Sequence, residues 1–317
     1  KVFISVKPRN GDFLSDETKR ELIQKLKSHA VAGIVPEFVD LKYLYVELQA
    51  NPYYNPSLND DPENLKTGIS NALTQYSRSI DVNKFGGRFK YSKAVSLIDN
   101  VDSSITSNIT LVTIRRNLKA SIGRFAQYEI CYGNMFHTQE SSYNVVSTGF
   151  TIDGVTGLVY LADEVINREK GRIFFFTYTE GGTPVVVKKN AGTVDYMHGE
   201  ILIDTVNILS TVIANNVIEI QAIPHSNDIV GLRDLYIKFD MSNTTINMIQ
   251  DLISSGENTS GSRFVHTHSY YTPTFTRKSN SPISTRTALL PSTATSTATS
   301  TSSASTYATV TATSTGS

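Results

Sequence analysis

His266-Thr267-His268 comes closest, in this 317-residue sequence, to residues spaced for metal chemistry. On an extended strand, side chains at i and i+2 share a face, so both imidazoles could meet one ion. A zinc site takes three or four protein ligands, and no third lies nearby, although further copies of the chain could bring more. A surface histidine pair in an irregular segment is therefore expected, with no stoichiometric metal. Cys131 and His137 offer a thiol and a base, but nucleophilic catalysis needs contact between them and a third group to orient the base. No local signature surrounds them, and a lone cysteine commonly serves as a small apolar core residue. G-x-S-x-G, H-E-x-x-H, the P-loop and the dinucleotide fingerprint are absent. Carboxylates are scattered without a marked pair. The expectation is a chain that is not an enzyme, with no catalytic or cofactor-binding residues.

Two further segments invite a binding reading. Lys84-Phe85-Gly86-Gly87-Arg88-Phe89-Lys90-Tyr91 has the rings and glycines of a base-stacking strand. Phenylalanine follows the lysine where that motif has glycine, and the segment falls between two expected helices. A glycine turn whose flanking rings pack on a core fits better. Arg115-Arg116, with Lys119 and Arg124, is a short basic run, expected to be solvated or to meet an acidic partner surface. Over the whole chain 29 Lys and Arg balance 29 Asp and Glu, so the basic surplus of a dedicated nucleic-acid binder is missing. The single cysteine rules out an internal disulfide framework and fits a reducing compartment. No signal peptide is legible, and no apolar run approaches the ~20 residues that cross a bilayer. Neither nucleic acid nor membrane is expected as a partner. A chain opening on Lys1 is expected to be a fragment or a processed product.

The elements that would position these residues follow from periodicity. Val2 to Val6 reads as a strand. Ser15 is an N-cap ahead of Asp16 and Glu17, and Leu22, Ile23 and Leu26 repeat at helical spacing up to a stop at Gly33. Phe38 to Leu48 reads as a long strand, with Tyr43, Tyr45 and Glu47 on one face and Leu44, Val46 and Leu48 on the other. Asn51 to Pro62 reads as a surface loop. Leu65, Ile69, Leu73 and Tyr76 mark a helix over about Glu63 to Ser79, a short helix carries Ala94, Val95 and Ile98, and Ile105 to Ile114 is a strand. Residues 1–118 thus form a small helix-covered sheet. From Lys119 short β runs recur, at about 158–161, 172–178, 184–188, 201–206, 217–222 and 235–239. A terminal helix is expected over about Thr245 to Ile253. The class is α+β: an elongated, multi-domain chain with a β-rich unit over 119–255, an irregular extension over 256–290, and a Ser/Thr/Ala tail over 291–317.

The order of several short motifs carries more weight than any one site. They are Val2-Phe-Ile-Ser-Val-Lys-Pro8, the Leu14-Ser15 cap, Ser70-Asn-Ala-Leu-Thr-Gln-Tyr76, Phe85-Gly86, Tyr91-Ser92 and Ile98-Asp-Asn-Val-Asp-Ser103. Gly192-Thr-Val-Asp-Tyr-Met-His-Gly199, Ile223-Pro224 and Asn227-Asp-Ile229 follow. In this order they resemble the J-like baseplate proteins of contractile-tailed phages, in their wedge-subunit branch, over roughly residues 1–290. The resemblance implies a structural subunit of the virion tail baseplate, built in the host cytoplasm. It implies partners among the other wedge proteins and a two-fold dimer within a ring, and it implies no catalytic residues. A receptor- or carbohydrate-binding module is the alternative, suggested by the tyrosine-rich β region. Tyr270, Tyr271 and Phe275 are the candidate interface residues, since aromatics are favoured in interface cores. The tail lacks apolar side chains to offset the entropy of ordering. Deleting 291–317 is expected to move the melting temperature by less than ~5 °C; a larger drop in a thermal melt would show that it docks on the body.

Overall fold

The computed structural model describes residues 1–8, 13–29, 34–138, 143–232 and 235–251. Its first part runs β1 (Val2–Ile4), α1 (Asp16–His29), β2 (Pro36–Phe38), β3 (Lys42–Tyr54), α2 (Pro62–Ser77), β4 (Arg88–Phe89), α3 (Tyr91–Asp99) and β5 (Ile105–Lys119). Ser15 caps α1, its hydroxyl accepting the Thr18 N–H at 3.2 Å. Asp61 caps α2 through the Asn64 N–H, and Pro62 sits in the first turn, where its missing N–H costs nothing. Leu65, Ile69, Leu73 and Tyr76 all face the core, as the 3.6-residue period requires.

The second part is almost entirely strand: β6 (Phe125–Cys131), β7 (Val146–Ser147), β8 (Phe150–Ile152), β9 (Tyr160–Val165), β10 (Lys170–Tyr178), β11 (Pro184–Asp195), β12 (Glu200–Thr211), β13 (Val217–Ala222), β14 (Ile229–Val230), β15 (Leu235–Phe239), β16 (Thr245–Ile246) and β17 (Ile249–Gln250). Among the described residues the three α-helices belong to the first part and the second adds only a 3-10 turn at Ala214–Asn216, so the α+β class holds with a strong β bias. One sheet runs β15-β3-β5-β13-β7-β9-β10-β11-β12-β6. β12 also pairs with β8, and Phe150 of β8 bridges Val159 ahead of β9. The ladder through β8, β9, β10, β11 and β12 thereby closes on itself, which removes exposed strand edges. Gly199, at the β11–β12 turn, takes φ +65°, and a Cβ there would run into the Asn134 carbonyl.

Two expectations need correction. The helix expected from Thr245 is absent over the described residues 245–251, where β16 and β17 pair in parallel with β3. Thr244, Thr245, Ile246 and Ile249 are β-branched and suit the pleat, and β3 offers them an edge beyond β15. The strand expected over Phe38 to Leu48 breaks after Phe38, resumes at Lys42 and runs to Tyr54, because Asn51 to Tyr53 pair with Ile109 to Ser107 of β5. Both faces of β3 are covered: Tyr43 and Glu47 are 5% exposed, Leu44 and Val46 0%.

Candidate assembly site

The first structural unit is a β-α-β turn of chain. β1 and β2 pair in parallel, with Val2 opposite Pro36, Phe3 opposite Glu37 and Ile4 opposite Phe38. Alternation puts Val2, Ile4, Pro36 and Phe38 on one face and Phe3 and Glu37, flanked by Val35 and Val39, on the other. Pro36 is buried and α1 packs against β2, whereas Phe3 is 65% exposed and Val35 and Val39 remain open. Parallel sheets normally have both faces covered. Among the described residues nothing buries the apolar face of Phe3, Val35 and Val39, which carries the Lys1–Glu37 ion pair at 2.9 Å; on the other face Val2 is also 47% exposed. The unit leans on the body through an aromatic seam. Phe13 meets Tyr43 edge-on at 5.5 Å, and Lys7 lies over the rings of Tyr43 and Tyr236. Tyr43 and Tyr236 are buried in this packing.

A charged junction underlies the seam. Arg115 of β5, 3% exposed, donates at 2.5 Å to Glu47 of β3, Glu219 of β13 and Asp240 just past β15. The guanidinium centre also lies 4.2 Å from the Tyr45 ring. One guanidinium faces three carboxylates, so the group has a formal charge of −2 and needs neutral donors. Gln221 supplies one to Glu47 at 2.7 Å, and Ser242 and Asn243 supply three to Asp240. Burial pushes the Asp240 pKa up, but the Ser242 hydrogen bond and the Arg115 charge outweigh it, so the carboxyl titrates below its ordinary 3.8.

A second polar anchor ties the β-rich part together. Asp163 of β9, fully buried, accepts the backbone N–H groups of Asn144 and Val145 at 2.6 Å each and the Tyr196 hydroxyl at 2.6 Å. Burial, reinforced by Asp163, raises the Tyr196 pKa, so the hydroxyl stays a donor. The Asn144 side chain then joins the segments that leave β6 and β13, donating to the carbonyls of His137 and Ile223 and accepting the Ile223 N–H.

This architecture, a β-α-β unit with one open face followed by a helix-backed sheet, coincides with two family matches. Residues 1–39 match the family described as baseplate structural protein gp6, C-terminal domain I, and residues 42–117 match its C-terminal domain III. Over these stretches the chain is similar to the C-terminal part of a T4-like baseplate wedge protein. The baseplate wedge protein gp6 of Enterobacteria phage T4 is 23% identical to it over 147 residues. That alignment covers 46% of this chain and 22% of the T4 protein. These matches support a baseplate structural role.

Within this gp6-like frame the candidate residues of the sequence fall apart. Cys131 ends β6 with its thiol 3.7 Å from Glu200, beside a cavity of about 290 Å³ that Arg116 and Lys42 also line. Burial pushes the thiol pKa up, the wrong direction for a nucleophile. The His137 ring lies beside His225 instead, and no hydrogen bond joins it to Cys131. Phe89 is buried in the core, and the exposed Phe85 sits edge-on to Tyr236 at 5.4 Å, so the 84–91 segment is a glycine turn leading into β4 and α3, with one of its two phenylalanines in the core. Arg115 corrects the reading of a solvated basic run, since its neighbours in space are acidic and buried. Its signal in sequence was lost because Glu47, Glu219 and Asp240 are each remote along the chain. Among the described residues no group of three His, Cys, Asp or Glu could hold a metal, and no helix is long and apolar enough to cross a membrane. His266, His268, Tyr270, Tyr271 and Phe275 lie outside the described residues.

Proposed function

We propose that this chain is a structural subunit of a contractile phage tail baseplate, joining neighbouring wedges into a ring and acting as a joint when the baseplate changes shape. The observation that carries the reading is the ordered pair of gp6 domain matches, laid on the β-α-β unit and on β3 to β5. Its partners would be other wedge proteins and a second copy of itself, in the virion tail baseplate and, during assembly, in the host cytoplasm. A two-fold contact is the commonest way for identical chains to meet, and the neutral net charge opposes it little. The open face of Phe3, Val35 and Val39 supports a contact there. A joint works by rigid units rotating about short connections. Lys119, where the sequence texture changes, pairs with Val217. Residues 5–8 and 39–41, outside any strand, suit a hinge better.

Sedimentation of the chain at micromolar concentration is expected to give a two-fold dimer burying at least ~1,200 Å² in total, the low end of specific interfaces. The double variant Phe3→Glu, Val35→Glu is expected to sediment as a folded monomer. A wild-type monomer would overturn the joint.

A further inference from the structure

The backbone of β1 shows which of its edges is taken. The Val2 N–H donates to the Val35 carbonyl at 2.9 Å, and the Val39 N–H donates to the Ile4 carbonyl at 3.0 Å. Residues 2 and 4 therefore turn their backbone polar groups toward β2. These groups alternate sides along a strand, so those of Phe3 point out of the pair. On β2 the residues bonded to β1 include Val35 and Val39, so Pro36 and Phe38 turn outward. Pro36 has no N–H to give, and a proline on an outer edge blocks further pairing. Among the described residues β1 pairs with β2 alone. The β-α-β unit thus has one blocked edge, that of β2, and one edge ready for a strand, that of β1.

Burial is missing on the same side. Val2 and Phe3 are exposed on opposite faces of β1, whereas Pro36 of β2 is buried. α1 is a 14-residue helix with no buried residue. Its Leu22 and Ile23 are half-buried, and Leu26 is 37% exposed. A helix of this length is marginal by itself in water and depends on packing of its apolar stripe. The charges of α1 say what kind of neighbour fits. Asp16 and Glu17 lie in its first turn, Lys27 and His29 in its last. Such a helix complements a second copy of itself that runs antiparallel, in charge as in dipole.

We propose that β1 pairs edge to edge with β1 of a second copy, antiparallel about a two-fold axis at Phe3, giving a four-stranded sheet in the order β2-β1-β1-β2. The proposal rests on the self-association put forward above and names its surface. The centred register sets the two Phe3 residues opposite each other, exchanging both backbone hydrogen bonds, because both polar groups of Phe3 face outward. Val2 then lies opposite Ile4 of the partner subunit in the two flanking non-bonded pairs. Opposite residues share a face, so the two α1 helices lie on one face of the sheet, antiparallel. The acidic first turn of each is directed toward the basic last turn of the other. Both outer edges of the assembled sheet are β2 edges, which Pro36 blocks, so the contact closes at two copies.

The test is sedimentation of the full chain beside two variants. Phe3→Pro removes only the outward N–H, so the unit keeps its own hydrogen bonds while the edge is blocked, and the dimer dissociation constant should rise at least ~100-fold. Phe3→Val keeps that N–H and should change it less than ~10-fold. Register is read by cross-linking with Cys131→Ser in place. Val2→Cys with Ile4→Cys should give a covalent dimer on mild oxidation, since a non-bonded pair sets Cα atoms about 4.5 Å apart, within disulfide range. Either cysteine alone should not, because its symmetry mate lies about 8 Å away. Thermal melts check folding, and cross-linking decides the matter where Phe3→Pro melts early. A strict monomer would overturn the self-association itself. A dimer that survives Phe3→Pro, weakens equally in both Phe3 variants, or fails to cross-link through the cysteine pair would leave self-association standing and overturn the edge pairing.

Discussion

Arg115→Ala is expected to destabilise the chain by about 3–5 kcal/mol, the cost of leaving buried carboxylates without their cation. Glu47, Glu219 and Asp240 would remain together in a buried site with only neutral donors. Arg115→Met should lose a similar amount despite better packing, which separates charge from volume. Urea unfolding followed by far-UV circular dichroism gives the measurement. The pH dependence gives a second readout. Asp240 titrates below its ordinary 3.8, so its contribution is complete above about pH 4 and is lost as the pH falls through the native value. In the variant the carboxylates gain by taking up protons, so the gap between wild type and variant should narrow on acidification from pH 7. A loss under ~1 kcal/mol, or a gap constant with pH, would mean that the junction is solvated in solution.

The second large effect is expected at Asp163. Asp163→Ala removes the acceptor for the Asn144 and Val145 N–H groups and the Tyr196 hydroxyl, all in the buried interior. At about 1–3 kcal/mol for each buried group left without a partner, the sum is about 3–5 kcal/mol after partial relaxation. Asp163→Asn keeps one acceptor oxygen and should cost less than the alanine. Tyr196→Phe removes one donor and leaves the two backbone bonds, so about 1 kcal/mol is expected. The order Ala, Asn, then Phe at Tyr196 in a urea series would bear this out. Equal losses from all three would point instead to general disruption of the β-rich part.

The ordered motifs gave the resemblance to baseplate proteins from sequence, and the two family matches, 1–39 and 42–117, cover the motifs from Val2 to Ser103 but not those from Gly192 to Ile229. Local signals also placed the Ser15 cap and the stripe of Leu65, Ile69, Leu73 and Tyr76, because a cap and a helical period are fixed by residues within a few positions of each other. The strands over 217–222 and 235–239 were legible from their β-branched and aromatic content.

What the tertiary structure decided is where those elements go. A strand's polar face is read from sequence as solvent-facing, yet Glu47, Arg115 and Gln221 are buried because β13 and the chain after β15 return to β5 and β3. The same return made strands of 245–250, since an open edge on β3 offers hydrogen bonds that outweigh a weak helical pattern. His137 and His225 are remote in sequence and come together beside one bridge, Phe136 to Pro224. Period, capping and propensity are properties of neighbours along the chain and can be read there. Strand partners, and with them the burial of a charge or the meeting of two imidazoles, depend on residues far apart in sequence, and folding alone brings them together.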